Sequence, residues 1–187
     1  MKEILLMQAP LGLTFCDPKQ VLASLSVMPG DVVADFGAGS GYFSFAFAGA
    51  VGDGGKVYAL DVLPSALEAI VSRAKTQGVN NVIPQRVNLE RENGSGLGTG
   101  MVDWVLMKDV LIQNEKKEVI VREAARIVKA GGKILVIEWD PKEKSVGPDS
   151  ALRMQRETVR ALLESAGLTI EDEPNVGGYH YAYLAKK

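Results

Sequence analysis

The stretch that most restricts the fold is VVADFGAGSGYF, residues 32 to 43. Val32, Val33, Ala34 and Phe36 suit a strand buried on both faces, and Gly37, Gly39 and Gly41 then form a turn with almost no side chains. Such a turn lets a ligand approach the backbone. SGYFSFAFAGAV continues as a helix whose first turn begins in the glycine loop, and GKVYALDV is a second apolar strand ending at Asp61. From Pro64 to Gln77, Leu67, Ile70, Val71 and Ala74 recur at helical spacing, with Pro64 placed for a first turn and Gly78 for a stop. These pieces complete one strand, helix, strand unit.

The alternation continues to the end of the chain. NNVIPQRVN is interrupted by Pro84, so its ordered part is expected at Gln85 to Asn88 or at a sheet edge. MVDWVLMKDV is a stronger strand. Asn114 is expected to cap a helix over 115–129 that Gly131 ends, followed by the buried strand GKILVIEW. A last helix is expected from Asp149 to Ala166, and LTIEDE and YHYAYLAKK close the chain as two strands separated by PNVGG. The expected fold is α/β: a doubly wound sheet of about seven strands, mostly parallel, with an antiparallel C-terminal hairpin strand. Ligands of such sheets sit beyond the carboxyl ends of the strands, where strand order reverses. The turns after Phe36, Asp61, Asn88, Lys108 and Trp139 therefore define the expected site.

At 187 residues the chain is read as one domain, residues 1 to 30 being an N-terminal lid or helix segment and 31 to 187 the core. A net charge of −2 gives no global attraction to nucleic acid or anionic membrane, and there is no basic tail. Residues 36 to 52 are uncharged, but their glycines and short length argue against a membrane span. With Cys16 as the sole cysteine no internal disulfide can form, which fits a reducing cytoplasm. No metal is expected. Residues 1 to 16 are apolar enough to form a lid, cover a sheet edge or join a homodimer.

The glycine spacing narrows the ligand. A dinucleotide fingerprint needs a third glycine five positions after the first, where Tyr42 stands, and no lysine followed by Ser or Thr marks a phosphate-cradling loop. VVADFGAGSGYFSFAFA, KVYALDV, VDWVLMKDVL and GGKILVIEW instead occur in the order and at the spacing of the Rossmann-like S-adenosylmethionine-dependent methyltransferases. The likeness runs from about Asp17 to Lys187. The lead-in FCDPKQVLASLSVMPGDVVADFGAGSG and the segment IEWDPKEKSVGP look similar to small bacterial members related to the ubiquinone and menaquinone biosynthesis and arsenite-methylating groups.

The resemblance implies a cofactor, S-adenosylmethionine, and roles for particular residues. Gly37, Ala38, Gly39, Gly41 and Tyr42 would approach its methionine part, with Asp35 bonding loop amides or the cofactor's amino group. Asp61 would accept the ribose hydroxyls, a helix-capping role being the alternative. Val62 would pack on adenine, Asn88 and Leu89 lie where relatives carry an acidic adenine contact, and Lys108 would offer mainly its backbone. Asp109 would face the methyl acceptor. Related proteins carry a histidine slightly further along this loop, where Ile112 stands here. Asp109 and His180 are the catalytic candidates, and Trp139, Asp140 and Tyr179 the acceptor-binding ones. A structural histidine and a solvent-facing Asp140 remain open alternatives, and Tyr179 and Tyr181 fall on the opposite strand face from His180. The implied activity is in-line methyl transfer to a small-molecule nucleophile, the rival being a cofactor-binding regulatory or scaffold protein without transferase activity.

Overall fold

The computed structural model describes residues 16–142 and 146–187. The lid or interface roles considered for residues 1 to 15 therefore lie outside the described residues. Seven strands run β1 (Val32–Phe36), β2 (Lys56–Asp61), β3 (Val82–Arg86), β4 (Val102–Lys108), β5 (Val128–Trp139), β6 (Thr169–Asp172) and β7 (His180–Lys186). Five helices accompany them: α1 (Pro18–Ala23), α2 (Tyr42–Val51), α3 (Pro64–Gln77), α4 (Lys117–Ile127) and α5 (Arg156–Ser165). The sheet order is β3-β2-β1-β4-β5-β7-β6, parallel throughout except for β7, which runs antiparallel to β5 and β6. Strand order reverses between β1 and β4, and the glycine turn leaves β1 at that point.

Alternation along each strand divides the core between the two faces. Ala34, Val105, Met107, Ile134 and Val136 face α4 and α5, meeting Ile120, Ile127, Val159 and Leu163. Val33, Leu106, Leu135 and Ile137 face the other way, against Phe43 and Phe47 of α2 and Ile70 of α3. Full burial of each large aliphatic or aromatic side chain contributes about 1.5–3 kcal/mol, so the central strands, apolar on both faces, anchor the sheet. The same parity puts Asp35, Asp61, Lys108, Trp139 and His180 on the face covered by α2 and α3, each near the edge where the parallel strands end.

Local signals explain α3, which spans the expected residues with Pro64 at its start and Gly78 in the left-handed conformation at its end. The sheet-edge alternative for the third strand is the one found, and three other expectations are corrected. As that alternative allowed, β3 is an edge strand, where Pro84 is tolerated within Val82–Arg86. Asn114 does not cap α4: its side chain donates to the Val110 carbonyl at 2.8 Å, and the Glu90 carboxylate accepts from the Glu115 and Lys116 amides at 2.7 and 2.9 Å. Helix α4 ends at Ile127, short of Gly131, because Val128 pairs with Val102 in the sheet. The last helix is broken into a 3₁₀ turn (Ser150–Leu152), which Asp149 does cap, and α5. Between them the buried Arg153 side chain reaches back to the carbonyls of Asp140, Val146 and Pro148.

Candidate active site

The turn after β1 is built from left-handed glycines, with φ of 66°, 52° and 78° at Gly37, Gly39 and Gly41. It is braced against the end of β2. The Gly37 and Ala38 amides donate to the Leu60 carbonyl at 2.8 and 3.1 Å, and the Gly39 amide donates to Asp61 Oδ2 at 2.8 Å. Asp61 Oδ1 accepts from the Leu63 amide at 2.9 Å, so one carboxylate ties the glycine turn to the entry of α3. Asp61 does not itself cap α3, whose N-cap is Leu63 with no side-chain bond, and each of its oxygens keeps a further lone pair. Gly41 stands at the N-cap of α2 and has no side chain to cap it, so the amides at the helix start can serve as donors for an anionic group.

The walls around the turn differ in character. Tyr42, Val62 and Leu63 are exposed by 50%, 53% and 58%, giving an apolar lip beside Asp61. Asn88 accepts from the Glu90 amide at 3.0 Å in a tight turn, while Leu89 is buried in the core. Beneath the turn, Ser44 donates to Asp35 Oδ2 at 2.5 Å, and burial pushes the Asp35 carboxyl up to about 7. Ser44 carries no motif that would have marked it in the sequence. Burial likewise pushes the Cys16 thiol up to about 11, leaving it a poor nucleophile at neutral pH.

Gly37→Ala is expected to damage this site directly. An added Cβ would lie 2.9 Å from Val110 Cγ2, and an L side chain in the left-handed region costs about 1–2 kcal/mol by itself. Calorimetric titration with S-adenosylhomocysteine should show at least about a tenfold loss of affinity, equivalent to 1.4 kcal/mol. Unchanged affinity would remove Gly37 from the cradle.

On the far side of β4 the chain gathers charged groups in a protected place. Asp109 has a left-handed backbone, with φ of 56°, and its amide donates to the Ile137 carbonyl at 2.8 Å. Its Oδ2 pairs with Lys108 Nζ, and its Oδ1 lies 3.5 Å from His180 Nε2. Burial raises the Asp109 pKa, but the His180 contact and the Lys108 charge outweigh it and hold the carboxyl below its ordinary value. The Lys108 ammonium is thus engaged with Asp109, where the resemblance implied mainly a backbone role. Glu138, on the opposite strand parity, accepts from the Leu111 amide at 2.8 Å, and burial together with the Asp109 charge pushes it up to about 8.

Trp139 joins this group to the acceptor side. Its ring stacks on His180 at 4.2 Å, the Arg153 guanidinium lies 5.3 Å from its centroid, and Gly147 passes so close that a Cβ would fall 2.5 Å from the ring. Asp140 is engaged with Arg156 at 2.8 Å. A cleft of about 310 Å³ opens beside these residues, its walls including Asp140, Arg156, Glu173, Asn175 and His180. Tyr181, on the opposite strand parity from His180, also lines the cleft, and its hydroxyl donates to the Met154 carbonyl at 3.1 Å. Tyr179 lies at the mouth of β7, where its carbonyl accepts from the Asp140 amide at 2.9 Å. Arg153 and Arg156 escaped the sequence reading, since nothing in their spacing marks what they reach.

A glycine-cradled switch point on a sheet with one reversed strand defines an S-adenosylmethionine-dependent methyltransferase fold. Comparison with known proteins agrees: residues 28–171 match the family model described as a methyltransferase domain. The chain belongs to that family. It is 32% identical over 128 residues to the ubiquinone/menaquinone biosynthesis C-methyltransferase of Cupriavidus taiwanensis, covering 66% of this chain and 51% of that protein. The chain thus spans about half the length of the curated relatives it matches. A SAM-dependent methyltransferase from Aquifex aeolicus superposes with a TM-score of 0.84 at 25% identity, over 91% of this chain and 89% of that one. The arsenic(III) methyltransferase of Chlamydomonas reinhardtii, at 21% identity and a TM-score of 0.67 over 87% of this chain and 64% of that one, shares the fold.

The residues present fit S-adenosylmethionine. The turn bears no side chain to obstruct a ligand, the α2 amides suit its carboxylate, Asp61 has acceptor capacity for hydroxyls, and the apolar lip suits a flat base. Among the described residues no helix is long and apolar enough to cross a membrane.

Proposed function

We propose that this chain moves the methyl group of S-adenosylmethionine to a small-molecule nucleophile by in-line displacement. The observation that carries the acceptor reading is the cleft of about 310 Å³ beside Trp139, Asp140 and His180, a volume suited to a small ligand. The cofactor supplies a methyl group already activated by its sulfonium charge. The protein's part is then to hold, align and exclude water, and orientation of two bound partners is worth about 7–11 kcal/mol in well-ordered cases.

Gly37, Ala38, Gly39, Gly41 and Tyr42 form the cradle for the amino-acid end, with Asp35 beneath it. Asp61 takes the ribose hydroxyls. Val62 and Asn88 flank the base, and Leu89 and Lys108 shape the pocket from behind. Trp139, Asp140 and Tyr179 bound the acceptor. The quinone chemistry named for the Cupriavidus relative makes a hydroxylated aromatic ring the first acceptor class to try. A reducing compartment such as the cytoplasm suits a chain whose Cys16 is a buried free thiol.

The test is transfer of labelled methyl from S-adenosylmethionine into a cell extract separated into small molecules, protein and nucleic acid. Label should enter the small-molecule fraction with release of S-adenosylhomocysteine. Label confined to macromolecules would overturn the acceptor class. Binding without release in every fraction would favour the scaffold alternative.

A further inference from the structure

We infer that His180 takes the proton from an ionisable methyl acceptor, an O–H or S–H nucleophile seated in the neighbouring cleft, and that Asp109 positions the imidazole for it. The inference rests on the methyl-transfer reading above and concerns the acceptor half of that site.

Buried polar atoms in native proteins are almost always paired. Among the described residues, the buried side-chain atoms without a hydrogen-bond partner are Asp109 Oδ1, Glu138 Oε2, and His180 Nδ1 and Nε2. All four belong to one neighbourhood, at the ends of β4 and β5 and the start of β7. Orphaned groups scattered over a molecule would indicate imperfect packing. Of these residues His180 lines the cleft, and its Nε2 already faces Asp109 Oδ1 at 3.5 Å, so His180 Nδ1 is the atom of that pair left for a ligand's polar group.

The arrangement suits a base. The His180 side chain has no solvent exposure, and its ring is fixed by stacking on Trp139 at 4.2 Å with 38° between the planes. Asp109 Oδ1 lies 3.5 Å from Nε2, an ion-pair separation longer than a closed hydrogen bond. A carboxylate on that side favours the tautomer with hydrogen on Nε2, which leaves the Nδ1 lone pair free. The left-handed backbone of Asp109, uncommon for a residue other than glycine, accompanies this placement. The other charged groups nearby are Lys108, paired with Asp109 Oδ2, and, around the cleft, Asp140 and Glu173, both salt-bridged to Arg156.

In the proposed step the acceptor's O–H or S–H bond breaks, its proton passes to Nδ1, and the electron pair stays on the oxygen or sulfur. No group is oxidised or reduced. The imidazolium so formed is balanced by the Asp109 carboxylate. His180 starts β7, two strands from β4 in the sheet, and its side chain reaches back to Asp109 at the end of β4.

The test uses the full chain saturated with S-adenosylhomocysteine and 4-nitrophenol as probe, whose ionised form absorbs visible light. At a pH below the probe's own midpoint, wild type should bind it as the phenolate. His180→Gln should bind S-adenosylhomocysteine as before and lose the phenolate band, and Asp109→Asn should reduce the bound phenolate fraction several-fold. A neutral bound probe, identical spectra in wild type and His180→Gln, or no binding of the probe would each overturn the inference. Because His180 is the only histidine, nitrogen NMR of the wild-type imidazole gives a second reading that needs no variant to fold. The neutral ring should carry its hydrogen on Nε2, and a hydrogen on Nδ1 would overturn the inference. Failure to bind S-adenosylhomocysteine at all would instead strike the methyl-transfer reading beneath it.

Discussion

Asp61→Ala is expected to unfold at the same temperature with and without S-adenosylmethionine, and to unfold well below wild type in both cases. The carboxylate accepts from the Gly39 amide at 2.8 Å and the Leu63 amide at 2.9 Å, so its removal leaves two amides of the site without partners. Hydrogen bonds to charged groups are worth about 1.5–3 kcal/mol each, and partial access of water offsets some of that loss. A net loss of about 2–4 kcal/mol corresponds to roughly 5–15 °C for a chain of this size. Wild type at about 100 times the dissociation constant should gain about 2.7 kcal/mol from the ligand, a shift of roughly 5–10 °C. Asp61→Asn keeps one acceptor oxygen and should fall between the two. NAD should shift neither protein. A ligand-induced shift that survives in Asp61→Ala would remove Asp61 from the cofactor site.

The second large effect is on stability against pH. Asp35 and Glu138 are buried carboxyls pushed up to about 7 and about 8 from ordinary values of 3.8 and 4.5. Between each pair of values the folded chain holds a proton that the unfolded chain has released. Stability must therefore fall as pH rises through those windows, by about 1.4 kcal/mol per pH unit for each group, and level off above the folded values. Asp109 acts in the opposite sense, its carboxyl being held below the ordinary 3.8, but its contribution is lost only as pH falls through that acidic range. Urea midpoints of the ligand-free chain should decline from about pH 5 to about pH 7, and the double variant Asp35→Asn, Glu138→Gln should flatten the decline. Both replacements keep an acceptor oxygen for Ser44 or the Leu111 amide. A wild-type midpoint that stays level or rises over that interval would show that these carboxyls are ionised in the folded state.

Much of the architecture was legible because its signals are local. Pro64 and Gly78 bound α3 by their own backbone preferences, and the glycine turn follows from residues that accept positive φ. Where the reading failed, a distant partner competed for the chain. Asn114 was drawn to the Val110 carbonyl while Glu90, on another connection, capped the amides that Asn114 was expected to satisfy. The last helix broke because Arg153 is needed as a buried brace for the loop over Trp139.

The site divides along the same line. By itself the sequence determined the α/β alternation, the side-chain-free turn at Gly37, Gly39 and Gly41, and the carboxylate ending β2, because each depends on backbone preference or on periodicity within a few residues. Only the tertiary structure decided that Asp61 reaches the Gly39 amide, that Ser44 serves Asp35, and that Asp109 stands 3.5 Å from a histidine 71 positions later in the chain. The last of these contacts arises because β7 enters the sheet beside β5 and brings its first residue to the edge where β4 ends. Nothing in the spacing of Asp109 and His180 encodes that meeting; sheet order alone creates it.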